Sequence, residues 1–110
     1  MAMSEQQFRG FVREVLSSLF DQIDALESDD LDPSQTDGVI SCHFRRGGSF
    51  VLSQQVPTRE LWLSANLRAW HFRYDEDKAA WFERDTGEPM LPLLSRLFSE
   101  KLSLPVDFRV

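Results

Sequence analysis

From Phe8 to Leu26 the apolar residues Phe8, Phe11, Val12, Val15, Leu16, Leu19, Phe20, Ile23 and Leu26 return at intervals of three and one. That spacing places them along one side of a helix. The other side carries Glu14, Ser17, Ser18, Asp21, Asp24 and Ser28. Ser4 followed by Gln7 has the form of a capping box, so the predicted helix runs from about Glu5 to Ala25 or Leu26.

Beyond Asp37 the period changes to two, the mark of strands. Asp37-Gly38 opens a strand with Ile40, Cys42 and Phe44 inward. Gly47-Gly48 turns the chain into a second, Ser49 to Gln54, with Phe50 and Leu52 inward. Arg59 to Ala65 and Ala69 to Tyr74 follow, the latter with Trp70, Phe72 and Tyr74 inward and His71 and Arg73 outward. A charged turn, Asp75 to Lys78, leads to a short strand around Trp81-Phe82-Glu83, and a weak strand through Leu31 would add a sixth at the edge.

Met90, Leu91, Leu93, Leu94, Leu97, Phe98 and Leu102 then mark a second helix, with Pro89 or Pro92 in its first turn. Pro105 stops it, and Val106 and Phe108 fold back as an apolar strap. The predicted fold class is α+β: a two-layer sandwich with two helices on one face of an antiparallel sheet of about five or six strands. At this length, residues 1–110 are expected to form a single domain.

One strand position breaks the pattern. Leu61, Leu63 and Ala65 claim the core, which leaves Trp62 on the polar face with Glu60 and Ser64. A Trp facing water is a candidate interface anchor. Gln55, His71 and Arg73 share that face, with Ser53 and His43 nearby. The competing reading is that Trp62 covers the aliphatic stems of its neighbours, such as Arg73.

Charge adds a second candidate region. The net charge is -6, and residues 1–38 hold nine acids against two arginines, so the excess is concentrated there. This argues against nucleic acid or an anionic membrane as a partner of that surface and suits cations or a basic protein. Asp21, Asp24, Glu27, Asp29, Asp30 and Asp32 cluster around the end of the first helix, where the helix dipole already favours cations. Carboxylates bind hard cations: iron, Mn²⁺, Ca²⁺ or Mg²⁺. Without His or Cys among them, a loose site is expected rather than a tight one. The competing reading is a solvated acidic face that maintains solubility.

The remaining chemistry is sparse. His43 and His71 lie on separate strands without a matched third ligand, and Cys42 faces the core. A lone Cys forms no internal disulfide, no apolar run approaches the ~20 residues of a membrane span, and no secretion signal opens the chain, so a cytoplasmic location is expected.

The order and spacing of these features resemble the frataxin family, bacterial members in particular. The match rests on Gln55-x-Pro57 followed by Trp62-Leu63-Ser64, on Asp30-Leu31-Asp32 and Asp37-Gly38-Val39, and on Trp70-His71-Phe72, Trp81, Asp85-Thr86-Gly87-Glu88 and Leu93-Leu94. The resemblance implies a non-enzymatic, iron-binding regulator of iron–sulfur cluster assembly that docks on a cysteine desulfurase and its scaffold. It implies iron at the ridge Asp21, Asp24, Glu27, Asp29, Asp30 and Asp32, and partner contacts through Gln55 and Trp62. Ser17, Ser18 and Gln22 stand where relatives often carry acids, which implies weak metal binding. The alternatives are a stand-alone iron store or ferroxidase working through oligomers and a metal-independent adaptor. Oligomeric state is left open between a monomer and an iron-dependent oligomer.

Overall fold

A computed structural model describes residues 3–110. Helix α1 spans Glu5–Asp24 and starts at the predicted box: Ser4 Oγ accepts the Gln7 N–H at 3.1 Å, and the Gln7 side chain accepts the Ser4 N–H at 3.0 Å. Phe8, Val12, Leu16, Leu19 and Ile23 are buried along one stripe, with Phe11, Val15 and Phe20 half-buried beside it.

Six strands follow: β1 (Leu31–Thr36), β2 (Val39–Phe44), β3 (Ser49–Gln55), β4 (Glu60–Ala65), β5 (Arg68–Asp75) and β6 (Ala80–Glu83). They form one antiparallel meander in chain order. The weak strand through Leu31 is thus real, and it lies at the edge as β1. At the β1–β2 turn Gly38 has φ +76°, a left-handed conformation that glycine adopts without strain.

Ile40, Cys42, Phe44, Phe50, Leu52, Leu61, Leu63, Ala65, Trp70, Phe72 and Trp81 project from the sheet into the core. Tyr74 is half-buried rather than fully inward, stacked on Phe11 at a ring distance of 4.2 Å. Helix α2 (Met90–Leu102) covers the same face with Leu93, Leu94, Leu97, Phe98 and Leu102. Pro89 caps it, and Pro92 falls in its first turn, where no intrahelical N–H bond is lost.

The tail crosses back as a strap, burying Val106 and Phe108. Its backbone groups need partners, and side chains supply them. Val106 N–H donates to Ser99 Oγ at 2.9 Å and Phe108 N–H to Ser95 Oγ at 2.8 Å. The Gln22 amide clamps the backbone of Arg109 at 2.8 and 2.7 Å, tying the tail to α1. With both helices and the strap on one side, the other side of the sheet stays open.

Candidate functional site: an anchored tryptophan and an acidic ridge

The open face is organised around Glu60. The sequence puts this residue on the polar side of β4, and it is there, yet it is 0% exposed. The register explains why. Glu60 pairs with Gln55 on β3 and Arg73 on β5, while Trp62 pairs with Ser53 and His71. The Trp62 indole N–H donates to Glu60 Oε1 at 2.9 Å, and Arg73 Nε donates to Oε2 at 2.8 Å. Arg84 Nη1 reaches the two oxygens at 3.2 and 3.3 Å. The carboxylate is therefore covered by the side chains that bond to it. Burial pushes the Glu60 carboxyl up, but the hydrogen bonds from Trp62, Arg73 and Arg84 and the charge of Arg84 outweigh it and hold the carboxyl below its ordinary range.

Trp62 is consequently fixed at both ends. Its N–H is bonded to Glu60 and its ring lies against His71, 4.6 Å between centroids, while 37% of the residue stays exposed. Trp62 and Arg73 also meet through the shared Glu60 carboxylate. Beneath His71 lies a second buried acid. Glu83 accepts the His71 backbone N–H at 2.9 Å and those of Asp85 and Thr86 at 2.7 and 3.1 Å. Burial raises its carboxyl, and these bonds with the nearby His71 bring it below its ordinary range. Gln55 is half-buried on the same face, its amide 3.4 Å from Ser53 Oγ. The four predicted contact residues Gln55, Trp62, His71 and Arg73 thus share one surface.

Sequence reasoning missed Glu60 and Arg84 as parts of this site. A carboxylate two residues from an outward Trp, with an Arg on the facing strand, was the available signal for Glu60. Arg84 lies beyond the end of β6 and carried no such signal.

The acidic ridge is built differently. Asp21 and Asp24 are exposed at the end of α1, whose last turn contains no basic residue. Glu27, exposed, follows with φ +48°. Asp29, Asp30 and Asp32 line an open groove with His43 and Arg45. Asp30 is the tethered member: its carboxylate meets Arg46 Nε at 3.4 Å, and its carbonyl accepts the Arg45 N–H at 2.8 Å. Asp32 pairs across the ladder with His43. Carboxylate oxygens are suitable donors for iron or another hard cation. Among the described residues, however, no group of three His, Cys, Asp or Glu side chains comes close enough to hold one. The described part of the ridge therefore presents no fixed, geometrically defined ion site.

Cys42 is buried, and desolvation pushes its thiol up to about 12, so it is a poor source of thiolate. No described helix is long and apolar enough to cross a membrane.

Two helices on one face of a six-stranded meander, with an anchored Trp on the other face and acids at one end, define a frataxin-like architecture. The comparisons agree. The family model described as "Frataxin-like domain" matches residues 1–104. A protein of Pseudomonas entomophila named iron–sulfur cluster assembly protein CyaY is 33% identical, with 98% of this chain and 97% of that protein covered. Its namesake in Pseudomonas aeruginosa is 35% identical over 96% of this chain and 97% of that protein. The chain belongs to the frataxin family. Among solved structures, frataxin from Psychromonas ingrahamii superposes with a TM-score of 0.88 at 19% identity, covering 98% of this chain and all of that one. A trimeric yeast frataxin complexed with ferrous iron gives 0.74 at 20% identity, over 94% and 89% of the two chains. These structural likenesses speak for the fold.

Proposed function

We propose that this protein acts in iron–sulfur cluster assembly as a non-enzymatic regulator or adaptor that docks on a cysteine desulfurase and its scaffold. Residues 1–110 would act as one domain in the cytoplasm. The observation that carries this reading is the end-to-end match, at 33% and 35% identity, with proteins named for cluster assembly. The surface supports it with two regions of different use. Trp62, with Gln55, His71 and Arg73 around it, offers a pre-positioned apolar anchor, and interface energy concentrates at such residues. The ridge Asp21, Asp24, Glu27, Asp29, Asp30 and Asp32 offers an extended negative surface that attracts a basic partner and holds iron loosely.

A titration against purified desulfurase and scaffold, with and without Fe²⁺, tests this. Saturable binding that Fe²⁺ strengthens is expected. Absence of binding in both conditions overturns the docking reading, and equal binding in both makes the protein a metal-independent adaptor.

A further inference from the structure

The β4–β5 hairpin ends in Asn66-Leu67, two residues between the paired Ala65 and Arg68. Both have positive φ, 51° and 63°, as a two-residue type I′ turn requires. Asn followed by Gly is the sequence such a turn favours, because Gly adopts the left-handed region freely and Asn tolerates it. Here the second place holds a Leu. The other non-glycine residues with positive φ among those described are Glu27, Arg59, Asn66, Ala79 and Ser103, so Leu67 alone combines that backbone with a large apolar side chain. That side chain is fully exposed. It therefore bears the steric cost of the left-handed region and gains nothing from burial in this chain.

Its position says what the side chain is for. Leu67 sits at the tip of the two-stranded ribbon that carries Trp62, four ladder steps beyond the Trp62–His71 pair, hence about 13 Å along the strand direction. Between them the outer face carries the exposed pair Ser64 and Ala69, both small. The ribbon thus presents an aromatic anchor, a low floor and an aliphatic tip. Isolated exposed apolar residues are ordinary. Packing within this chain does not account for a strained one at the tip of the ribbon that carries an anchored Trp.

We infer that Leu67 is a second anchor of the docking surface. It inserts into an apolar recess of the same protein partner that receives Trp62, and that partner carries two recesses about 13 Å apart that straddle the Ser64–Ala69 floor. The inference rests on the docking reading above, and the partner protein is its committed occupant.

The test measures melting temperature and affinity for the purified desulfurase–scaffold complex in wild type, Leu67→Asn, Leu67→Met and Trp62→Ala. Leu67→Asn relieves strain, so its melting temperature should equal or exceed that of wild type by up to about 4 °C, while its Kd rises about tenfold. Leu67→Met keeps an apolar tip and should stay within about threefold of wild type. If Trp62→Ala weakens binding and Leu67→Asn does not, the Leu67 assignment is wrong and the docking reading stands. If neither variant changes affinity, the docking face itself is wrong. Co-sedimentation of wild type with phosphatidylglycerol–phosphatidylethanolamine vesicles, lost in Leu67→Asn, would assign the tip to a membrane. Concentration-dependent self-association lost in that variant would assign it to a second copy. Either result would overturn the partner-protein assignment.

Discussion

Glu60 and the ridge acids are the same chemistry in opposite settings. The Glu60 carboxylate is fully buried and satisfied by three side chains from β4, β5 and the segment after β6. Asp21 and Asp24 face water at a helix end with no basic residue in its last turn. A buried, fully bonded carboxylate organises its surroundings: remove it and an indole and two guanidiniums lose their common acceptor. Exposed carboxylates organise little, but their field extends about a Debye length into solvent. In the proposed function the first arrangement would give a fixed shape to be recognised, and the second a long-range attraction that speeds encounter and depends on salt.

The comparison is tested most severely at β4. Leu63→Ala should cost about 2–5 kcal/mol, because it opens a cavity beneath the sheet. Trp62→Ala, one residue away, should cost much less in the same urea melt, since its ring packs on the open face. Equal losses would place both residues in the core and dissolve the distinction between the two faces.

Glu60→Gln should come next, at about 1–3 kcal/mol near neutral pH. The amide still accepts from Trp62 but no longer neutralises Arg73 and Arg84, whose side chains, 64% and 32% exposed, recover part of the loss by rehydration. Its pH dependence has a definite sign. The folded Glu60 carboxyl lies below its unfolded value, so its contribution is present above the unfolded pKa of about 4.3 and is lost as pH falls through the folded value. The stability gap between wild type and Glu60→Gln should therefore be widest above about pH 5 and narrow toward pH 3. A gap that stays constant across that range would mean Glu60 gains nothing from its ionised partners.

The smallest effect belongs to the ridge and has the opposite direction. Asp21→Asn with Asp24→Asn should raise stability by about 0.2–0.5 kcal/mol at low salt, since like charges on neighbouring turns repel. Fe²⁺ or Ca²⁺ should raise the melting temperature of wild type, and the double variant should lose most of that gain. Equal cation responses would exclude these two acids as the binding region.

Much of this arrangement was legible in the residues. The capping box, the stripe on α1, the alternation on β2 to β5 and the prolines of α2 are local signals, and each element formed where its signal lay. The outward Trp62 was legible too, because period two assigns its face regardless of neighbours. What the pattern could not give was the burial of Glu60. That depends on strand register and on Arg84, 24 residues away, which the fold swings across the outer face. Alternation reports the face on which a side chain starts, not what closes over it. The contact of Tyr74 with Phe11 of the distant α1 was equally hidden from the pattern.

In the proposed function recognition is divided: Trp62 would supply the contact and the ridge the attraction. Stopped-flow association and dissociation rates against the desulfurase–scaffold complex, at two salt concentrations, test it most directly. Trp62→Ala should weaken affinity by roughly thirtyfold, about 2 kcal/mol, mainly through faster dissociation and with unchanged salt dependence. Asp21→Asn with Asp24→Asn should slow association and flatten its salt dependence, with dissociation little altered. Unchanged affinity of the Trp62 variant, or a dissociation-rate effect confined to the ridge variant, would contradict the division.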